Sequence, residues 1–93
     1  MKTLTKEHVI DINQKLGKEF KTEYGLSTNR SNLDYAISLE NNPYKMAKEI
    51  LRGHPFIDAN KRTTFMVYML LTTDKSFEEI LKDFYNLFQN LAK

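Results

Sequence analysis

The sequence predicts an all-α fold, a compact helical bundle in which one central, buried helix follows a short polar loop. Apolar residues recur at three- and four-residue steps along most of the chain, the spacing that lines one face of a helix. No segment shows the apolar–polar alternation of a half-buried strand. With 3 Gly and 2 Pro in 93 residues, helix breakers are too few to interrupt those stretches often.

The first helix is predicted from Lys6 to about Tyr24, capped by Thr5. Val9, Ile12, Leu16 and Phe20 form its apolar stripe, opposite Lys15, Lys18 and Glu19. Gly17 weakens its middle, because an internal glycine costs about 1 kcal/mol relative to alanine. His8 reads as a solvated surface histidine. Gly25 ends the helix and opens a loop that runs to Asn29. A short second helix, Asn32 to Glu40, takes Ser31 as its cap and buries Leu33, Ala36 and Ile37.

Asn42-Pro43 starts a third helix, since asparagine caps well and proline is tolerated at the first helical position. Tyr44, Ala47, Ile50 and Leu51 are expected to face inward, and Gly53 stops it. The central helix runs from Asn60 to Leu71. From Thr64 onward it is apolar on every side, as a helix clamped by neighbours would be, with Met66 and Met69 as core filler. After a turn at Thr72-Thr73-Asp74-Lys75, Ser76 and Glu79 form a capping box. Phe77, Ile80, Leu81, Phe84, Phe88 and Leu91 then line the inner face of a last helix. Tyr85, Leu87 and Phe88 widen its apolar surface. Packing against the first helix is the simpler account of that surface, and a docking groove for a partner helix is the other.

Residues 1–93 are expected to form one small domain, near the lower end of what a single core supports without staples. There is no cysteine, so disulfides and thiolate metal sites are excluded. The opening residues lack the apolar core of a signal peptide, and no apolar run approaches membrane-spanning length. The expectation is a soluble, cytoplasmic protein with no membrane partner. A formal net charge of +2 with well-mixed signs argues against non-specific nucleic-acid binding.

The most informative stretch is Arg52-Gly53-His54-Pro55-Phe56-Ile57-Asp58-Ala59-Asn60-Lys61-Arg62-Thr63. Gly53 and Pro55 punctuate the chain around His54, Asp58 is a good N-cap, and Asn60, Lys61 and Arg62 fall in the first turn of the central helix. Successive helical residues point about 100° apart, so these three side chains converge only on something lying ahead of the helix end. Orphan N–H groups and the positive end of the helix dipole point there too, the usual setting of a bound phosphate. Asp58 is a hard oxygen ligand placed to hold Mg2+ against such phosphates. His54 is the nearby group able to take a proton near neutral pH. Taken singly, each residue has a duller role, as a cap, a solvated cation or a packed loop histidine. Together they make an incipient phosphotransfer site.

This stretch resembles the signature of the Fic/Doc family. His54, Phe56, Asp58, Ala59, Asn60, Lys61, Arg62 and Thr63 match the death-on-curing (Doc) toxin form, H-x-F-x-D-A-N-K-R-T, at each fixed position, and the Arg52-Gly53 lead-in is Doc-like. Tyr24-Gly25, then Arg30, Leu33 and Ala36, is similar to the segment upstream of the signature in Doc proteins. The resemblance implies that His54 is the general base toward a target hydroxyl and that Asp58 holds the magnesium ion. It also implies that Asn60, Lys61 and Arg62 bind the phosphates of ATP, while Phe56 anchors the loop. Relative to the adenylyl-transferring Fic branch, Lys61 replaces a glycine and Phe65 replaces the final arginine. In the Doc branch such a change accompanies transfer of the terminal phosphate rather than AMP.

The implied activity is therefore that of a toxin kinase acting on a Ser or Thr hydroxyl of a protein, with elongation factor Tu the leading target. The alternatives are Fic-type AMP transfer and a catalytically inactive binding module. The segment ahead of the signature is short where family members carry a flap for the target peptide. The self-inhibitory [ST]-x-x-x-E-[GN] pattern of some Fic enzymes is absent from the sequence, which fits an antitoxin supplied by another chain.

Overall fold

The structure, a computed structural model, describes residues 3–39 and 41–92, apart from the side chains of Phe88 and Ala92. Among the described residues five helices carry the fold: α1 (Lys6–Phe20), α2 (Ser31–Ile37), α3 (Pro43–Gly53), α4 (Asn60–Thr72) and α5 (Phe77–Ala92). The described residues form no strand, only an isolated antiparallel bridge between Leu26 and Phe56. The all-α expectation holds. No helix among the described residues is long and apolar enough to cross a membrane.

Helix α4 packs against α1, α3 and α5, and α2 packs against α1 and α3. Val9, Ile12 and Leu16 of α1, Leu33 and Ala36 of α2, Met46 and Ile50 of α3, Met66 and Val67 of α4, and Ile80 of α5 meet in one buried core. Phe56 joins them from the loop between α3 and α4, as the sequence predicts.

Local chemistry sets the helix ends. The Thr5 hydroxyl accepts from the His8 N–H, and the His8 ring Nδ1 accepts from the Thr5 N–H, a capping box that gives the exposed histidine a structural task. Asn42 caps α3 through Lys45 N–H, and Ser76 and Glu79 exchange backbone-to-side-chain bonds ahead of α5. Gly53 lies so close to α2 that an added Cβ would fall 2.7 Å from Asn32 Cβ. The Asn32 amide donates to the Gly53 carbonyl at 2.7 Å, fixing the end of α3 where the site loop begins.

Several expectations are corrected. Helix α1 ends at Phe20, because Lys21 turns left-handed (φ 56°) four residues before Gly25. The N-cap of α2 is Arg30, already in helical conformation and without a side-chain bond, so Ser31 is inside the helix rather than at its cap. The expected end of α2 at Glu40 lies outside the described residues, and the helix itself stops at Ile37. Tyr44 and Leu51 of α3 face outward instead of inward. Helix α4 is not enclosed on every side, since Phe65 and Tyr68 are exposed. Leu91 of α5 is exposed as well. The side chain of Phe88, expected inside, is outside the described set.

Candidate functional site

The site is a loop of six residues' reach between two helix ends. Helix α3 ends when His54 turns left-handed (φ 46°), and α4 begins when Ala59 does the same (φ 61°). Between these turns the loop is fastened from three directions. Phe56 fills the core, the Ser27 N–H donates to the Pro55 carbonyl at 2.8 Å, and the Ile57 N–H donates to the Gly25 carbonyl at 2.9 Å. The Ser27 hydroxyl also donates to the His54 carbonyl at 3.1 Å. These bonds leave the His54 ring exposed while its backbone is held.

Asn13 of α1 is a component that the sequence reading did not single out. It is fully buried, yet its Nδ2 donates to the Asp58 carbonyl at 3.0 Å and to the Thr63 hydroxyl at 3.1 Å. Its Oδ1 accepts from the Gly25 N–H at 2.9 Å. One side chain thus ties α1, the Gly25 turn, the site loop and α4. A signal existed: Asn13 sits inside the apolar stripe of α1, four residues after Val9 and three before Leu16, where a polar side chain needs long-range partners.

The expected N-cap moves by one residue. Because the chain turns left-handed at Ala59, that residue caps α4, without a side-chain bond, and Asp58 Oδ1 reaches only the Ala59 N–H at 2.7 Å. The start of α4 therefore has no side-chain cap for its orphan N–H groups, and the Asp58 carboxylate stands exposed beside it.

His54, Asp58, Asn60, Lys61 and Arg62 line one cleft of about 690 Å³, bounded on its far side by Phe65, Phe84 and Leu87. Their contributions differ. Asn60 is buried, with Oδ1 accepting from the Phe56 N–H at 3.1 Å and Nδ2 donating to the Phe56 carbonyl at 3.0 Å, so its amide holds the loop. Lys61 is exposed. Arg62 lays its guanidinium over the Phe20 ring, 4.4 Å from the centroid. Among the described residues neither Lys61 nor Arg62 is in an ion pair.

The described residues hold no group of three or more His, Cys, Asp or Glu side chains fit to cage a metal. A lone exposed carboxylate fits only an ion that takes most of its oxygens from elsewhere, the habit of Mg2+. Chemically, the cleft offers a proton acceptor, one carboxylate, two unpaired cations and a helix N-terminus. Compared with known proteins, the chain matches no family model, and no curated protein or solved structure is significantly similar to it.

Proposed function

We propose that this chain is a Doc-type protein kinase that transfers the terminal phosphate of ATP to a Ser or Thr hydroxyl of a protein. The observation that supports it best is the shared cleft: His54, Asp58, Lys61 and Arg62 line one cavity ahead of a helix end whose first turn has no side-chain cap. The resemblance of residues 54–63 to the Doc signature supplies the chemistry, and elongation factor Tu is the target class it suggests.

In this reading the helix N-terminus, Lys61 and Arg62 hold the phosphates and offset the charge that grows in the transition state. Asn60 contributes through the loop it braces and through its backbone N–H. Asp58 would hold a magnesium ion, which when bound neutralises phosphate charge. His54 accepts the proton of the target hydroxyl as its oxygen bonds to the γ-phosphorus. The bond from that phosphorus to the β–γ bridging oxygen breaks, and its electron pair leaves with ADP. Inhibition by an antitoxin in trans belongs to the same proposal.

The test is incubation of the protein with cell extract and ATP labelled at either the α or the γ phosphate. Protein-bound γ label that falls by about 100-fold or more in His54→Ala supports the kinase. Because His54 is left-handed, His54→Asn, which tolerates that backbone, is the matched variant that separates chemistry from strain. Retained α label assigns AMP transfer instead. ATP binding by calorimetry without transfer of either label assigns a binding module.

A further inference from the structure

The His54 ring stands exposed at the edge of the cleft, and among the described residues it makes no hydrogen bond and no ion pair. A histidine base is ordinarily turned by a carboxylate or carbonyl on its second ring nitrogen. Here the direction of the ring has to come from the backbone that carries it.

That backbone is left-handed, with φ 46° and ψ 57°, a conformation that residues other than glycine adopt at a cost. It persists only where neighbours hold the peptide planes on either side. The plane before His54 is gripped twice. The Asn32 amide donates to the Gly53 carbonyl at 2.7 Å, and the His54 N–H donates to the Ile50 carbonyl at 3.2 Å. The plane after it joins His54 to Pro55. Proline has no N–H, so the His54 carbonyl is the one polar group by which that plane can be held. Among the described residues the Ser27 hydroxyl holds it, donating at 3.1 Å.

The hydroxyl is itself set for this contact. Its oxygen accepts from the Asn29 N–H at 3.0 Å, a turn closed by the side chain, which leaves its single proton for the His54 carbonyl. The Ser27 N–H donates to the Pro55 carbonyl at 2.8 Å, and Leu26 pairs with Phe56, so the segment lies in register with the site loop. Without the hydroxyl the His54–Pro55 plane can tip, and the Cα–Cβ bond that points the ring tips with it.

We infer that Ser27 is a positioning residue for the His54 base: its hydroxyl, through the His54 carbonyl, sets the direction from which the ring meets the target hydroxyl. This rests on the reading of His54 as the general base. It puts part of the catalytic geometry on a loop that lies 27 residues away in sequence.

The test uses the full chain and three variants. Ser27→Ala removes the hydroxyl but keeps the backbone bond to Pro55, and Ser27→Thr keeps both. Thr5→Ala, which loses the hydroxyl that caps α1 through His8, is the control for stability. The rate of protein labelling by γ-labelled ATP in cell extract is measured where circular dichroism shows every variant folded. Ser27→Ala is expected to lower the rate at saturating ATP by about 10-fold and to leave the half-saturating ATP concentration within about 2-fold. Ser27→Thr and Thr5→Ala should stay within about 2-fold of the native chain in both. In NMR, Ser27→Ala should move the His54 Cα and carbonyl shifts out of their left-handed pattern, and Ser27→Thr should keep them there. The inference is overturned if Ser27→Ala labels at the native rate, if Thr5→Ala loses as much, or if the rate falls with the His54 backbone unchanged. A half-saturating concentration that rises as much as the rate falls also overturns it. A native chain that transfers no label overturns the kinase reading, and this inference falls with it.

Discussion

The buried amide of Asn13 donates to the backbone carbonyl of Asp58 at 3.0 Å, across 45 residues of sequence, and so fixes the loop that presents the carboxylate. The same side chain serves Thr63 and the Gly25 N–H. Removing it strands three buried or half-buried polar groups at once, and each unmet group costs about 1–3 kcal/mol. Asn13→Ala is therefore expected to lower unfolding free energy by about 3 kcal/mol in urea denaturation, a large share of a small domain's stability. A loss under about 1 kcal/mol would show that water replaces the amide.

Ala59 carries strain that a single substitution can release. At φ 61° its Cβ crowds the following carbonyl, a conformation that costs a non-glycine residue about 1–2 kcal/mol. Glycine removes that cost and returns about 0.5–1 kcal/mol as entropy of the unfolded chain. Ala59→Gly should raise stability by about 0.5–1 kcal/mol, seen as a higher thermal midpoint. A lower midpoint would mean that the buried methyl group contributes more by packing than it costs in backbone strain.

The parts of this structure that were legible in the sequence are those with local causes. Thr5, Asn42 and the Ser76–Glu79 pair mark helix starts because capping is decided within four residues. The stripe of α1 follows from spacing. What escaped depends on neighbours distant in sequence. Gly17 reads as a weak point of a helix, but a Cβ there would fall 2.7 Å from Tyr24 Cβ, so the glycine admits the returning chain. Tyr44 and Leu51 carry the right period for a buried face, yet periodicity cannot say how much of a stripe another helix covers. At the site, His54, Asp58, Lys61 and Arg62 line one cleft, because a turn and the first helical turn after it are local features. Asn60 read as a phosphate ligand because its side-chain bonds to Phe56 form only once the loop closes.

Tyr85 should respond to pH through Glu19. Its hydroxyl donates to Glu19 Oε1 at 2.7 Å, and that bond pushes the phenol above the ordinary tyrosine value, with Arg62 pulling weakly the other way. Since the folded state holds this proton more tightly than the unfolded chain, the stabilisation is complete below the unfolded value of about 10 and disappears as pH rises through the higher folded one. Glu19→Ala is expected to lower the Tyr85 midpoint, followed by NMR of ring-labelled tyrosine. An unchanged midpoint would remove the Tyr85–Glu19 bond as the cause.

Arg62 is aimed by an aromatic ring rather than by a carboxylate. Phe20 lies under its guanidinium at 4.4 Å and is itself wedged by Phe84 and Tyr85, with ring centroids 5.5 and 5.6 Å away. A half-buried contact of this kind contributes about 0.5–1 kcal/mol, or about 2- to 5-fold in affinity. If Arg62 grips phosphate in the cleft, Phe20→Leu should weaken ATP binding by about that factor in calorimetry, and Phe20→Trp should preserve it. Arg62→Ala should weaken binding further, and adding Phe20→Leu to it should then change nothing, because the ring acts through the guanidinium. A second loss in that double variant would show that Phe20 supports the cleft by packing α1 against α5 and not by steering the arginine.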